Sequence, residues 1–272
     1  MLTRRKFGEL CAGLGSSLPV ARRQLMALSG ASALSGSVAM AATDAKRTVK
    51  FRDGAIVPAL GQGSWHLGDG RRPPAEEEEA LRTGISLGMT LIDTAEVYAA
   101  DHGSERLIGR AIAGQRDRVF LVSKVWPTHV AKDGVERACE ASLKRLGTDH
   151  LDLYLLHWPN DVTDIAHVVR SFESLRSAGK IRAWGVSNFK VSDMENLFRV
   201  PQGDRCATNQ LPYSLNDRSI ERDLLPSLAC RAVRTMAAGR VQCCGRRGCK
   251  GPDWSRSDPQ MEYGADLPFG GL

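Results

Sequence analysis

Aromatic residues are scarce in this 272-residue chain, at 6%. Its longest weakly apolar stretch, Leu25 to Ala42, is too short and too rich in Gly and Ser to cross a bilayer, which takes roughly 20 apolar residues. No stable membrane span is therefore expected. Internal repeats and low-complexity tracts are also missing, so neither organises the chain. Of the seven cysteines, Cys243, Cys244 and Cys249 lack the paired spacing and the histidines of a zinc site. Cys139 and Cys206 read as small core residues, and neither a metal nor a disulfide framework is expected. A metal-dependent barrel hydrolase would need closely spaced histidines at an early strand end. Here His66 follows Trp65, and a whole strand separates His150 from His157. Basic charge is absent from the middle of the chain. The formal net charge is +6, but residues 1–41 hold +4 and residues 227–272 hold +3, which leaves 42–226 at −1. A nucleic-acid footprint would need basic residues clustered on the folded part, so no nucleic-acid partner is expected.

The sequence divides into three segments. Residues 1–41 carry paired arginines, Arg4-Arg5 and Arg22-Arg23, upstream of the Ala/Ser/Gly-rich run, which contains Ala39-Met40-Ala41 as a small-x-small cleavage candidate. They read as a twin-arginine signal peptide, cut near Ala41, that would send the folded protein to the periplasm through the twin-arginine export machinery. An N-terminal helix or arm, with the protein staying in the cytoplasm, is the alternative. At 272 residues with 42% hydrophobic content the chain can bury one large domain, expected at residues 42–226 as an incomplete barrel. Residues 227–272 are rich in Arg, Gly and Cys and show neither helix nor strand periodicity.

Within the middle segment, strands alternate with helical patterns. Val49 to Val57 reads as a hairpin about Asp53-Gly54, and Val57 to Trp65 as a first barrel strand whose glycines let a ligand approach the backbone. A helix follows from Pro74 to Leu87. Further strands are expected over 90–93, 118–124, 151–157, 181–186 and 207–211, with helices at 104–113, 133–146, 164–178 and 191–198. The mostly near-continuous apolar strands suit a parallel sheet covered on both faces. Six strand–helix steps in order imply a (β/α)8 TIM barrel rather than a doubly wound sheet. Asp93, Lys124 and His157 each stand at or just past a strand end, and Tyr98 lies a few residues further on. A barrel builds its active site from residues that converge on this face. Taken singly, Tyr98 is a surface residue, Lys124 a solvated strand end, Asp93 a helix cap and His157 a satisfied histidine.

Around these residues the chain resembles the aldo-keto reductase superfamily. The matching stretches include Leu60-Gly61-Gln62-Gly63-Ser64-Trp65, Leu91-Ile92-Asp93-Thr94-Ala95-Glu96-Val97-Tyr98, Ser104-Glu105-Arg106-Leu107-Ile108-Gly109 and Leu121-Val122-Ser123-Lys124-Val125. They continue through Leu151 to Pro159, Gly185-Val186-Ser187-Asn188-Phe189 and Asn209-Gln210. The resemblance implies NADPH-dependent reduction of an aldehyde or ketone, a small-molecule carbonyl substrate, and a monomer. It makes Tyr98 the proton donor, with Lys124 stabilising the phenolate, Asp93 holding the ammonium and His157 orienting the carbonyl. Ser187, Asn188 and Gln210 match the positions that hydrogen-bond the nicotinamide carboxamide, and Asp93 borders the same site. Trp65, Trp126 and Trp158 would wall the substrate pocket. The alternatives are a non-catalytic nucleotide-binding or redox-sensing protein on the same fold, and an inactive truncated product.

Export and chemistry pull apart, because NADPH is regenerated in the cytoplasm. The resemblance ends after Asp223-Leu224-Leu225-Pro226, so the seventh and eighth barrel strands are not recognisable. Gly239 to Gly245, read one base earlier, can encode Gly-Gln-Gly-Ser-Val-Leu-Arg, which resembles family sequence downstream of the seventh strand. A frameshift near codon 226 is therefore expected. Sequencing the gene across codons 220–272 tests it: one inserted or deleted base should restore family-like residues, and a shifted frame that reads otherwise refutes it.

Overall fold

The computed structural model describes residues 48–51, 54–214, 217–230 and 233–238. The expected signal peptide and the tail beyond Ala238 lie outside these residues. Two short strands, β1 (Thr48–Lys50) and β2 (Ile56–Pro58), pair antiparallel, with Thr48 opposite Pro58. The turn between them passes through Gly54 at φ +92°, a left-handed conformation that glycine adopts without steric cost.

Seven parallel strands then form one sheet in sequence order. They are β3 (Gly61–Gly63), β4 (Leu91–Asp93), β5 (Phe120–Val125), β6 (Leu151–Leu156), β7 (Ile181–Ser187), β8 (Thr208–Pro212) and β9 (Arg234–Ala238). The helices are α1 (Pro74–Ser86), α2 (Gly103–Ile112), α3 (Gly134–Leu146), α4 (Ile165–Ser177), α5 (Val191–Arg199) and α6 (Leu224–Cys230). This is the α/β pattern of a (β/α)8 barrel, with seven of its strands among the described residues.

Two expectations need correcting. The first barrel strand is shorter than Val57–Trp65, because Val57 and Pro58 belong to the hairpin. Gly61 is needed for strand packing: an added Cβ would sit 2.6 Å from the Leu91 side chain and 2.8 Å from its carbonyl oxygen. The second correction concerns the segment after Pro226, which does continue the barrel. α6 runs on to Cys230, and β9 pairs parallel with β8 from Thr208↔Arg234 to Pro212↔Ala238. Arg-Thr-Met-Ala-Ala has little β propensity of its own, so pairing with β8 supplies what the residues lack. Thr208 Oγ1 donates to the Arg234 carbonyl at 2.8 Å and the Arg234 guanidinium reaches the Lys50 carbonyl at 2.9 Å, tying β9 to its neighbours.

The sheet buries two apolar layers. Towards the helices lie Leu121, Tyr154, Leu156, Trp184, Val186 and Phe172. On the opposite face Val122, Leu153, Leu155, Ala183 and Ala207 meet Phe51 and Val57 of the hairpin segment, with Phe120, Leu91 and Met236 packed alongside. Side chains alternate between these faces with a period of two. On β6, Leu153 and Leu155 face inward while Tyr154 and Leu156 face the helices. Every residue of β6 is buried, including Asp152, whose carboxylate accepts from the Arg116 guanidinium at 2.8 Å and from the Leu121 N–H at 2.9 Å. Cys139 and Cys206 are free thiols in the helix-facing layer, and burial pushes both up to about 12, so they serve as packing atoms. Among the described residues no helix is long and apolar enough to cross a membrane.

Candidate active site

The period-two alternation decides which side chains reach the centre. On β5, Phe120 and Val122 point inward, and Lys124 continues that parity. Leu91 sets the same parity for Asp93 on β4, Leu155 for His157 after β6, and Ala183 for Ser187 on β7. Gln210 faces Met236, which packs on the inner layer. Successive strands thus deliver five polar side chains to one end of the sheet interior.

Lys124 is fully buried. Its ammonium donates to Asp93 Oδ2 at 2.9 Å, to the Thr94 carbonyl at 2.8 Å and to Tyr98 Oη at 3.2 Å, which engages all three of its donors. Burial alone would lower its pKa, but Asp93 and then Tyr98 outweigh that and hold it above the ordinary lysine value. Tyr98 is raised as well. Burial is the larger influence, Lys124 pulls the other way, and Asp93 adds to the rise. The phenol therefore stays protonated through neutral pH.

His157 sits edge-on to the Tyr98 ring, with centroids 5.7 Å apart, and edge-on to Trp126 at 5.2 Å. Trp158 lies nearly parallel to it at 6.5 Å, and Trp65 stacks on His66 at 4.8 Å. Burial, then the nearby Lys124 cation, holds His157 well below the ordinary imidazole range, so the ring is neutral. Its Nδ1 is buried without a hydrogen-bond partner.

The carboxamide-type residues form a second linked group. Asn188, at φ +62° in the left-handed region that asparagine tolerates, donates to the His157 carbonyl and to Ser187 Oγ, each at 3.0 Å. Ser187 Oγ donates to the Gln210 carbonyl at 3.0 Å. Gln210 Nε2 donates to Asp93 Oδ1 at 2.9 Å, so one carboxylate joins both groups.

The structure thus brings together Asp93, Tyr98, Lys124 and His157, adjoins Ser187, Asn188 and Gln210, and sets Trp126 and Trp158 beside His157. Three participants escape a reading of the sequence. The Thr94 carbonyl is a backbone group, Met236 lies on a strand with weak sequence character, and Glu96 is nearly fully buried with its carboxylate on the Trp126 amide. Only the placement of an acidic residue between Asp93 and Tyr98 pointed to Glu96.

The sequence pattern of the aldo/keto reductase family matches residues 59–245, past the point where the resemblance was expected to end. The methylglyoxal reductase YeaE of Escherichia coli (strain K12) is 46% identical over 201 residues, covering 74% of this chain and 70% of the relative. The aldo-keto reductase YhdN of Bacillus subtilis (strain 168) is 35% identical over 195 residues, covering 67% of this chain and 58% of the relative. A crystal structure of an aldo/keto reductase from Klebsiella pneumoniae in complex with NADP and acetate superposes with a TM-score of 0.68 at 50% identity. It covers 71% of this chain and 68% of that chain.

A buried neutral imidazole has a consequence for stability. Between the depressed folded pKa and the unfolded value near 6.5, the unfolded chain binds a proton that the folded chain does not, so stability falls as pH drops through that window. Urea midpoints measured from pH 7 down to pH 5 should decline in the parent protein and decline less in His157→Gln. Equal slopes would show that His157 does not titrate this way.

Proposed function

The chain belongs to the aldo/keto reductase family, and we propose that it is an NADPH-dependent oxidoreductase that reduces small aldehydes or ketones to alcohols, with Tyr98 as proton donor. The observation that carries this reading is the buried Lys124 ammonium, held between the Asp93 carboxylate and the Tyr98 hydroxyl. A phenol alone is too weak an acid to follow carbonyl reduction closely. A fixed cation 3.2 Å from its oxygen stabilises the phenolate left after the proton departs.

The residues present suit a nicotinamide. The Asn188 and Gln210 amide nitrogens donate to the protein itself, to the His157 carbonyl, Ser187 Oγ, Asp93 Oδ1 and Met236 Sδ. Their side-chain oxygens are left to accept from a ligand carboxamide. Bound there, reduced nicotinamide supplies the hydride. Tyr98 Oη protonates the carbonyl oxygen as charge develops on it. Lys124 stabilises the resulting phenolate, and Asp93 fixes the ammonium so that it need not reorient during the step. The neutral His157 ring can donate a hydrogen bond to the carbonyl oxygen from a ring N–H. Trp126 and Trp158 offer apolar walls that suit a small substrate. Similarity to the Escherichia coli relative makes methylglyoxal the first substrate to assay.

Tyr98→Phe should lower kcat for methylglyoxal by about 100-fold or more, the scale of general acid catalysis, while NADPH binding followed by fluorescence stays unchanged. A parent protein that binds NADPH but does not oxidise it when carbonyl is added would favour the nucleotide-sensing alternative. Export rests on the paired arginines and the Ala39-Met40-Ala41 site of the sequence alone. Residues 1–41 fused to a folded reporter should send it to the periplasm, and lysines at Arg4, Arg5, Arg22 and Arg23 should stop it. A reporter that stays inside throughout would place the protein in the cytoplasm.

A further inference from the structure

Glu96, two residues before Tyr98, is 3% exposed. Its carboxylate accepts the backbone N–H of Trp126, the first residue past β5, and the same oxygen lies 3.0 Å from His129 Nδ1. Its own backbone is held from both sides. The Glu96 N–H donates to the Lys124 carbonyl at 3.3 Å, and His102 Nδ1 meets the Glu96 carbonyl. One residue thus joins the loop after β4, which carries Tyr98, to the loop after β5, which carries Trp126 and the 3-10 turn Pro127–His129.

These two loops hold opposite parts of the site. Trp126 stands edge-on to His157 at 5.2 Å, and His157 stands edge-on to Tyr98 at 5.7 Å. A closed chain therefore runs from Glu96 to the Trp126 amide, through the Trp126 ring to His157, across to Tyr98 and back along two peptide units to Glu96. Burying a carboxylate is costly unless strong donors meet it, and the Trp126 amide is a donor that only this placement of the loop supplies.

We propose that Glu96 is a positioning residue that fixes the separation between the Tyr98 hydroxyl and the His157 ring by clamping the Trp126 backbone. The proposal rests on the reading of Tyr98 and His157 as the groups that act on the carbonyl. Glu96 touches neither substrate nor cofactor in this scheme and acts through Trp126. Misplacing a reacting group by about 1 Å costs on the order of 100-fold in rate, so a clamp of this kind is felt in kcat rather than in cofactor affinity. Glutamine keeps an oxygen that can accept the Trp126 amide, whereas alanine does not.

The test uses the full chain as the parent protein, Glu96→Gln and Glu96→Ala. NMR shifts of the Trp126 amide proton and the His157 ring protons, assigned with Trp126→Phe and His157→Gln, report the geometry without turnover. Steady-state assays with methylglyoxal and NADPH report kcat and KM separately. In Glu96→Ala the Trp126 amide should move upfield and the His157 ring signals should shift. Its kcat should fall about tenfold or more, with KM for NADPH within twofold of the parent. Glu96→Gln should restore the His157 shifts and most of kcat. Unchanged His157 signals in a folded Glu96→Ala would overturn the proposal, as would a loss that Glu96→Gln fails to rescue. Shifted signals in a protein with no reductase activity would instead count against the proposed function and leave the clamp standing.

Discussion

A lysine ammonium with no solvent access is the constraint around which this site is built. Removing such a charge from water costs several kcal/mol, and the structure offsets that with one carboxylate, one backbone carbonyl and one phenol oxygen, one for each donor. The three acceptors come from β4, the residue after it and the loop beyond, so the position of Lys124 on β5 dictates where that loop must run. Asp93 is fixed a second time, since its other oxygen accepts from Gln210, 117 residues away. The carboxylate therefore links the two neighbouring groups of polar side chains, and neither can move alone.

This arrangement follows from sheet geometry. Parallel strands place their C-terminal ends on one side, and period-two alternation sends every second side chain inward. The inner face is apolar up to Val122 on β5 and Leu155 on β6, then turns polar at Lys124 and His157. The low-dielectric layer beneath strengthens each electrostatic contact above it. Burial has the same origin in its effects on titration: it raises Tyr98 and lowers His157, so both groups are held neutral near pH 7 beside a permanent cation.

Much of this was legible in the sequence. β5 to β8 and α2 to α5 fall within about two residues of their expected bounds, because continuous apolar runs and 3.6-residue periodicity report burial directly. The ionisable residues at strand ends gave the convergence of Asp93, Lys124 and His157. What sequence could not give is whatever depends on a partner. β9 forms from Arg234-Thr235-Met236-Ala237-Ala238, whose own pattern is weak, because β8 offers a ready edge. The direction of the Tyr98 shift was also out of reach. Lys124 does pull it down, as its charge requires, yet the depth of burial outweighs that, and depth is a property of the packed sheet. Glu96 was marked only by its acidic side chain between Asp93 and Tyr98, since its partners are a backbone N–H and a histidine on another loop.

Among the described residues the sheet ends at β3 on one side and β9 on the other. Unpaired edges leave backbone donors and acceptors open and are the least stable part of a sheet. The position of each functional group relative to them differs. Asp93, Lys124 and His157 come from β4, β5 and the end of β6, each strand paired on both sides. Gln210 is on β8, whose outer neighbour is the edge strand itself, and its amide also contacts Met236 on that strand. Opening at the β9 edge would disturb the groups suited to a carboxamide before it reached the lysine, tyrosine and histidine. Because Asp93 joins the two groups, Gln210 ties β8 to the carboxylate that holds the buried charge.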